Sequence, residues 1–114
     1  MVARSYVPDR GDIVWVDLNP TRGHEQAKTR PAIVVTPKSY NARSGLMLAC
    51  PITSEIKGYP FEILLQGKKT TGVVLCDQLR SLDWNVRNVH FIERAKPSVM
   101  TELTHKLSAL IGVV

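Results

Sequence analysis

Cysteine is scarce in this chain of 114 residues, with Cys50 and Cys76 the only two. Neither belongs to a Cys-x-x-Cys pair, and His24, His90 and His105 have no ligand spacing around them. No metal ligand set and no cofactor is expected, and each cysteine reads as a small buried hydrophobe. Apolar runs are short: Ala32–Val35 and Leu46–Cys50 fall far below the roughly 18 residues that span a bilayer. The opening Met-Val-Ala-Arg-Ser-Tyr-Val-Pro-Asp lacks the apolar stretch of a secretory leader, so a cytoplasmic protein with no membrane contact is expected. Gly67-Lys68 is no phosphate loop either. The first glycine of that motif would fall on Glu62, and Lys69 stands where Ser or Thr is required.

What is present is an ordinary globular composition, 44% apolar and 22% charged, enough for one domain over residues 1–114. Fifteen Lys and Arg against ten Asp and Glu give a net charge of +5. That balance suits a phosphate-rich or acidic partner, and it also serves plain solubility.

β-branched and aromatic runs between turn formers predict strands at Ile13–Leu18, Ala32–Thr36, Leu46–Thr53, Phe61–Leu65, Gly72–Leu82 and Val89–Glu93. Pro51 argues for an edge or bulge. Gln66–Gly72 reads as a hairpin connection. From Pro97 the period changes: Val99, Met100, Leu103, Leu107, Leu110 and Ile111 recur at three and four, the stripe of a helix ending near Gly112. Short strands and one terminal helix predict a small, mostly antiparallel barrel. Trp15, in mid-strand, is expected in the core, and Trp84, after Asp83, at a stacking or interface position.

The long connection Asn19–Thr29 carries Arg22, His24, Glu25, Gln26 and Lys28 and runs into Arg30. A loop of that length is more often functional than a hairpin turn, although a solvated loop is the alternative. RNA holds its own nucleophile, the 2′-hydroxyl. A nuclease that uses it needs a base there, donors on the phosphate oxygens and neutralisation of the leaving oxygen. Candidate parts at strand ends are Glu25, Arg30 and Thr53, although composition and spacing alone do not assemble them, since a Thr at a strand end usually satisfies local backbone.

Five ordered pieces carry a resemblance: Gly11-Asp12-Ile13-Val14-Trp15-Val16-Asp17; Gly23-His24-Glu25-Gln26 leading to Arg30-Pro31-Ala32; Pro51-Ile52-Thr53; Lys57-Gly58-Tyr59-Pro60-Phe61; and Asp77-Gln78-Leu79-Arg80-Ser81-Leu82. In order and spacing the chain resembles the MazF/PemK/Kid toxins, from Tyr6 to Gly112. The resemblance implies a mainly β SH3-like barrel with a C-terminal helix, the CcdB/PemK-like plasmid maintenance toxin fold, assembled as a homodimer. It implies metal-independent cleavage of single-stranded RNA to 2′,3′-cyclic phosphate and 5′-hydroxyl ends. Arg30 and Thr53 would be catalytic, with Glu25 a plausible base or, alternatively, a residue that positions the substrate. Gln26, Lys28, Asn41, Asp77, Gln78, Arg80, Ser81 and Arg87 would line the RNA groove, with Lys38–Gly45 and Asp83–Asn88 as variable loops setting base preference. Asp77 and Gln78 have a second reading, as residues that satisfy strand-end backbone or a dimer interface. The implied partner is a MazE-like antitoxin with an acidic tail. Two other classes share the fold or the charge: a CcdB-like topoisomerase poison, and an RNA-binding barrel that cuts nothing.

Overall fold

β-branched runs become seven strands in a computed structural model that describes residues 6–18 and 29–113. They are β1 (Asp12–Asp17), β2 (Thr29–Val34), β3 (Leu46–Thr53), β4 (Glu62–Gln66), β5 (Thr71–Leu75), β6 (Arg80–Asp83) and β7 (His90–Arg94). All pair antiparallel, in the order β4-β5-β3-β2-β1-β7, with β6 also on β3. The sheet curls into a half-barrel, the mainly β fold with a terminal helix that the sequence predicts.

The predicted strand Gly72–Leu82 is interrupted. β3 pairs β5 at its end (Ile52 with Val74) and β6 at its start (Ala49 with Arg80). An unbroken ladder would set Ala49 opposite Asp77. The pairing slips by three residues because Cys76–Gln78 leaves the ladder as a single 3₁₀ turn. Cys76 tucks into the core while Asp77 and Gln78 face solvent.

Pro51 sits within central β3, not at an edge. Leu48 O accepts the N–H of Val35 on the β2 side at 2.8 Å, so the odd-numbered residues of β3 turn their backbone groups toward β6 and β5. Pro51 lies where pairing with β6 has ended and pairing with β5 has not begun. A missing N–H there leaves no ladder bond unmade.

Two apolar clusters cover the two faces. Ile13, Ile33, Cys50, Ile52, Ile63, Leu65, Val74 and Cys76 form one, beneath Val99 and Leu103 of helix α2 (Pro97–Leu110). Val14, Val16, Ala32, Val34, Met47, Leu82 and Trp84 form the other. Pro97 stands in the first turn of α2 as expected. The end of the predicted apolar stripe does not dock: Leu110 and Ile111 stay exposed. Lys38–Gly45, expected as a loop, is instead helix α1 (Lys38–Ser44), closed by Gly45 in the left-handed conformation with its N–H on Asn41 O. Among the described residues no helix is long and apolar enough to cross a membrane.

Candidate active site

Arg30 enters the sheet at the start of β2, and Thr53 ends β3. Ala32 pairs with Pro51, so two further residues along each strand bring Arg30 level with Thr53. Both line one open cleft of about 550 Å³, walled by Trp15 and Pro31 on one side and by Lys69 and Thr71 of the β4–β5 hairpin on the other. Arg30 and Lys69 are cationic, and none of the described lining residues is acidic. A cleft of this charge draws in a phosphodiester. Thr53 Oγ1 accepts the N–H of Glu55 at 3.1 Å, which orients the hydroxyl and leaves its proton to be donated elsewhere.

Thr53 also walls a second cleft of about 360 Å³, formed with Tyr59, Phe61, Asp77 and Gln78. The three-residue slip places the last two there. The Tyr59 and Phe61 rings stack on one another with centroids 5.3 Å apart. A third hollow, of about 450 Å³, lies between the β4–β5 hairpin and the start of α2 and holds none of the predicted residues.

The remaining predicted residues divide. Glu25, Gln26 and Lys28 lie outside the described residues. Ser81 is exposed on β6 opposite Leu48, and Arg80 is half-buried opposite Ala49. Asn41 does not line a groove: it is 0% exposed. Its Nδ2 donates to Pro8 O at 2.8 Å and Thr36 O at 3.0 Å, and its Oδ1 accepts the Thr36 hydroxyl at 2.7 Å. It is an internal brace between the N-terminal segment and α1. Arg87 is likewise turned to the backbone: Nη1 donates to Asp17 O and Leu18 O, both at 2.8 Å, fastening the end of β1.

The tryptophans exchange their expected places. Trp15 is 44% exposed on the wall of the Arg30 cleft, because it is the β1 residue that faces outward between buried Val14 and Val16. Trp84 is 4% exposed, with Nε1 donating to Asn41 O at 2.9 Å. The sequence reading missed Trp15, Lys69 and Tyr59 as cleft residues. No alternation marked Trp15, which stands in the continuously apolar run Ile13-Val14-Trp15-Val16 and is the one exposed position of β1. Among the described residues no three of His, Cys, Asp and Glu converge as metal ligands.

Fold and cleft define a class: a small curled β-sheet protein with an arginine and a hydroxyl on neighbouring strand ends, poised over a cationic groove. Residues 9–111 match the family described as PemK-like, MazF-like toxins of type II toxin–antitoxin systems. The chain is 45% identical to the endoribonuclease toxin MazF of Escherichia coli K12 over 98% of its own length and 100% of that protein. It is 37% identical to the Escherichia coli endoribonuclease PemK, covering 97% and 87%. Among solved structures, MazF of Deinococcus radiodurans superposes with a TM-score of 0.85 at 48% identity, covering 95% of this chain and 99% of that one. The toxin chain of a MazE–MazF complex from the same organism gives 0.84 at 43%, covering 96% and 100%. The chain belongs to the PemK/MazF family of type II toxins.

Proposed function

We propose that this protein is the endoribonuclease toxin of a type II toxin–antitoxin pair, cutting single-stranded RNA at Arg30 and Thr53. The observation that carries the reading is their meeting in one cationic cleft, in a chain of the same family and full length as named endoribonucleases. In the proposed reaction the 2′-oxygen attacks the adjacent phosphorus, the bond from phosphorus to the 5′-oxygen breaks, and the products are a 2′,3′-cyclic phosphate and a 5′-hydroxyl. Arg30 sets its charge against the extra negative charge of the pentacoordinate transition state. A guanidinium keeps its proton at neutral pH, so electrostatic stabilisation is its first role. Thr53 donates its hydroxyl proton to a non-bridging oxygen. Glu25 takes the 2′-hydroxyl proton, and the departing 5′-oxygen takes up a proton from water. Because the nucleophile belongs to the substrate, the reaction is written without a metal.

A MazE-like antitoxin with an acidic tail fits a +5 protein, and binding in the cationic cleft would exclude RNA. MazE–MazF complexes of relatives support that partner. A homodimer in the cytoplasm completes the reading.

The test is cleavage of a long single-stranded RNA in EDTA with fragment ends mapped. Discrete cuts bearing 5′-hydroxyl ends are expected. Arg30→Ala and Thr53→Val should each lose about a hundredfold or more in rate, whereas Thr53→Ser should retain most of it. No cutting by the folded wild-type protein would instead favour a topoisomerase poison or a non-cutting RNA binder.

A further inference from the structure

The two clefts that share Thr53 differ in chemistry. The Arg30 cleft is cationic. The second holds Glu55, Glu62 and Asp77 against the single cation Lys57, with the stacked Tyr59 and Phe61 rings as its wall. A phosphate is repelled from such a place, whereas a neutral, flat nucleobase is not. Glu62 is already occupied: it accepts the N–H of Lys57 at 3.2 Å and of Gly58 at 2.9 Å, tying down the turn before Tyr59. Glu55 lies 3.6 Å from the Lys57 ammonium. Among the described residues no hydrogen bond or ion pair engages the Asp77 carboxylate, which the three-residue slip holds out from the sheet beside Gln78. Lys106 of α2 donates to the Pro60 carbonyl and fixes the aromatic wall from behind.

Resting on the ribonuclease reading, we propose that this second cleft binds one of the two bases flanking the scissile phosphate. Tyr59 stacks on that base, and Asp77 requires it to carry an exocyclic amino group. A carboxylate can only accept hydrogen bonds. Adenine, cytosine and guanine each offer amino hydrogens to it, whereas the base-pairing edge of uracil presents two carbonyl oxygens around one N–H. The cleft therefore discriminates against uracil, and Gln78, which both donates and accepts, reads the rest of the edge. Stacking on Tyr59 adds affinity without choosing among bases, since every base has a π-face.

The experiment maps wild-type cut sites in a long RNA. It then compares short oligonucleotides that differ only at the two flanking positions, including purine riboside for adenosine, inosine for guanosine and 4-deoxy pyrimidine for cytidine. One flanking position should exclude uracil, and deleting the amino group there should lower kcat/KM by roughly 5- to 100-fold. Asp77→Asn, whose amide can donate as well as accept, should admit uracil at that position. Tyr59→Leu keeps apolar bulk at a half-exposed position; it should lower kcat/KM by roughly 5- to 100-fold on every sequence while leaving the preference intact. If wild-type protein cuts equally well with uracil at both positions, or if Asp77→Asn and Tyr59→Leu cut as wild type does, the base site is overturned while the ribonuclease reading stands. If wild-type protein cuts no RNA, both fall.

Discussion

Glu93 accepts the backbone N–H of Thr70 at 2.8 Å, and the same carboxylate takes the N–H groups of Lys69 at 2.9 Å and Lys68 at 3.0 Å. Glu93 is on β7 and the three donors are on the β4–β5 hairpin, so one side chain joins the two ends of the curled sheet. The hairpin it holds carries Lys69 to the wall of the Arg30 cleft.

Desolvation alone would raise the Glu93 carboxyl, but the N–H groups of Lys69, Lys68 and Thr70 outweigh it and hold the group below the ordinary carboxylate range. A carboxyl that titrates lower when folded stabilises the fold fully above its unfolded value and loses that contribution as pH falls through the folded one. Glu93→Gln should therefore melt below wild type at pH 7, by on the order of 1 kcal/mol. The two melting curves should converge in acid. A gap unchanged at pH 3 would assign the effect to packing instead.

Gly72 has φ of 139°, and a Cβ there would lie 2.2 Å from the Thr53 carbonyl oxygen. Only glycine lets β5 pass so close to the residue proposed to hold the phosphate. Gly72→Ala should cost roughly 2–4 kcal/mol of stability and move Thr53 as it does so. Thermal denaturation together with RNA cleavage well below the melting point would separate the two effects. A folded variant with wild-type cleavage would show that the Thr53 backbone tolerates displacement.

Asn41→Ala removes the donor to Pro8 O and Thr36 O and the acceptor of the Thr36 hydroxyl, which keeps only the Leu48 N–H. A loss of roughly 2–4 kcal/mol is expected by urea denaturation. Because Asn41 faces no cleft, the fraction that remains folded at low temperature should cut RNA at the wild-type rate.

Both cysteines are buried. Burial, with Cys76 and Asp77 adding to it, pushes the Cys50 thiol up to about 12, and burial lifts Cys76 to about 11 against the opposing pull of Lys106. Thiolate is the reactive form, so alkylation at pH 8 should proceed only at the rate of unfolding. Rapid labelling of the native protein would contradict the packing around Cys50.

Strands were legible wherever β-branched residues lay between turn formers, and β3 runs from Leu46 to Thr53 as read. The break at Cys76–Gln78 was not legible. Gly72–Leu82 looks like one strand until its partners are known, and the slip exists only relative to β3. The positions of Arg30 and Thr53 on neighbouring strand ends follow from two strands the sequence marked well. Asn41 was misplaced because a polar residue in a presumed loop reads as exposed, and only the fold reveals the carbonyls that satisfy it. Trp15 and Trp84 were exchanged for a related reason. Being mid-strand or in a turn says how a residue is connected, not which way it faces.

The exchange of the tryptophans has an optical consequence. The chain contains two indoles, one beside the proposed phosphate cleft and the other sealed in the core. Emission from Trp15 should respond to an oligonucleotide entering the cleft, while that of Trp84 should stay blue-shifted until the protein denatures. Replacing either with phenylalanine would leave a single indole, giving one variant that reports occupancy and another that reports unfolding, with no dye attached.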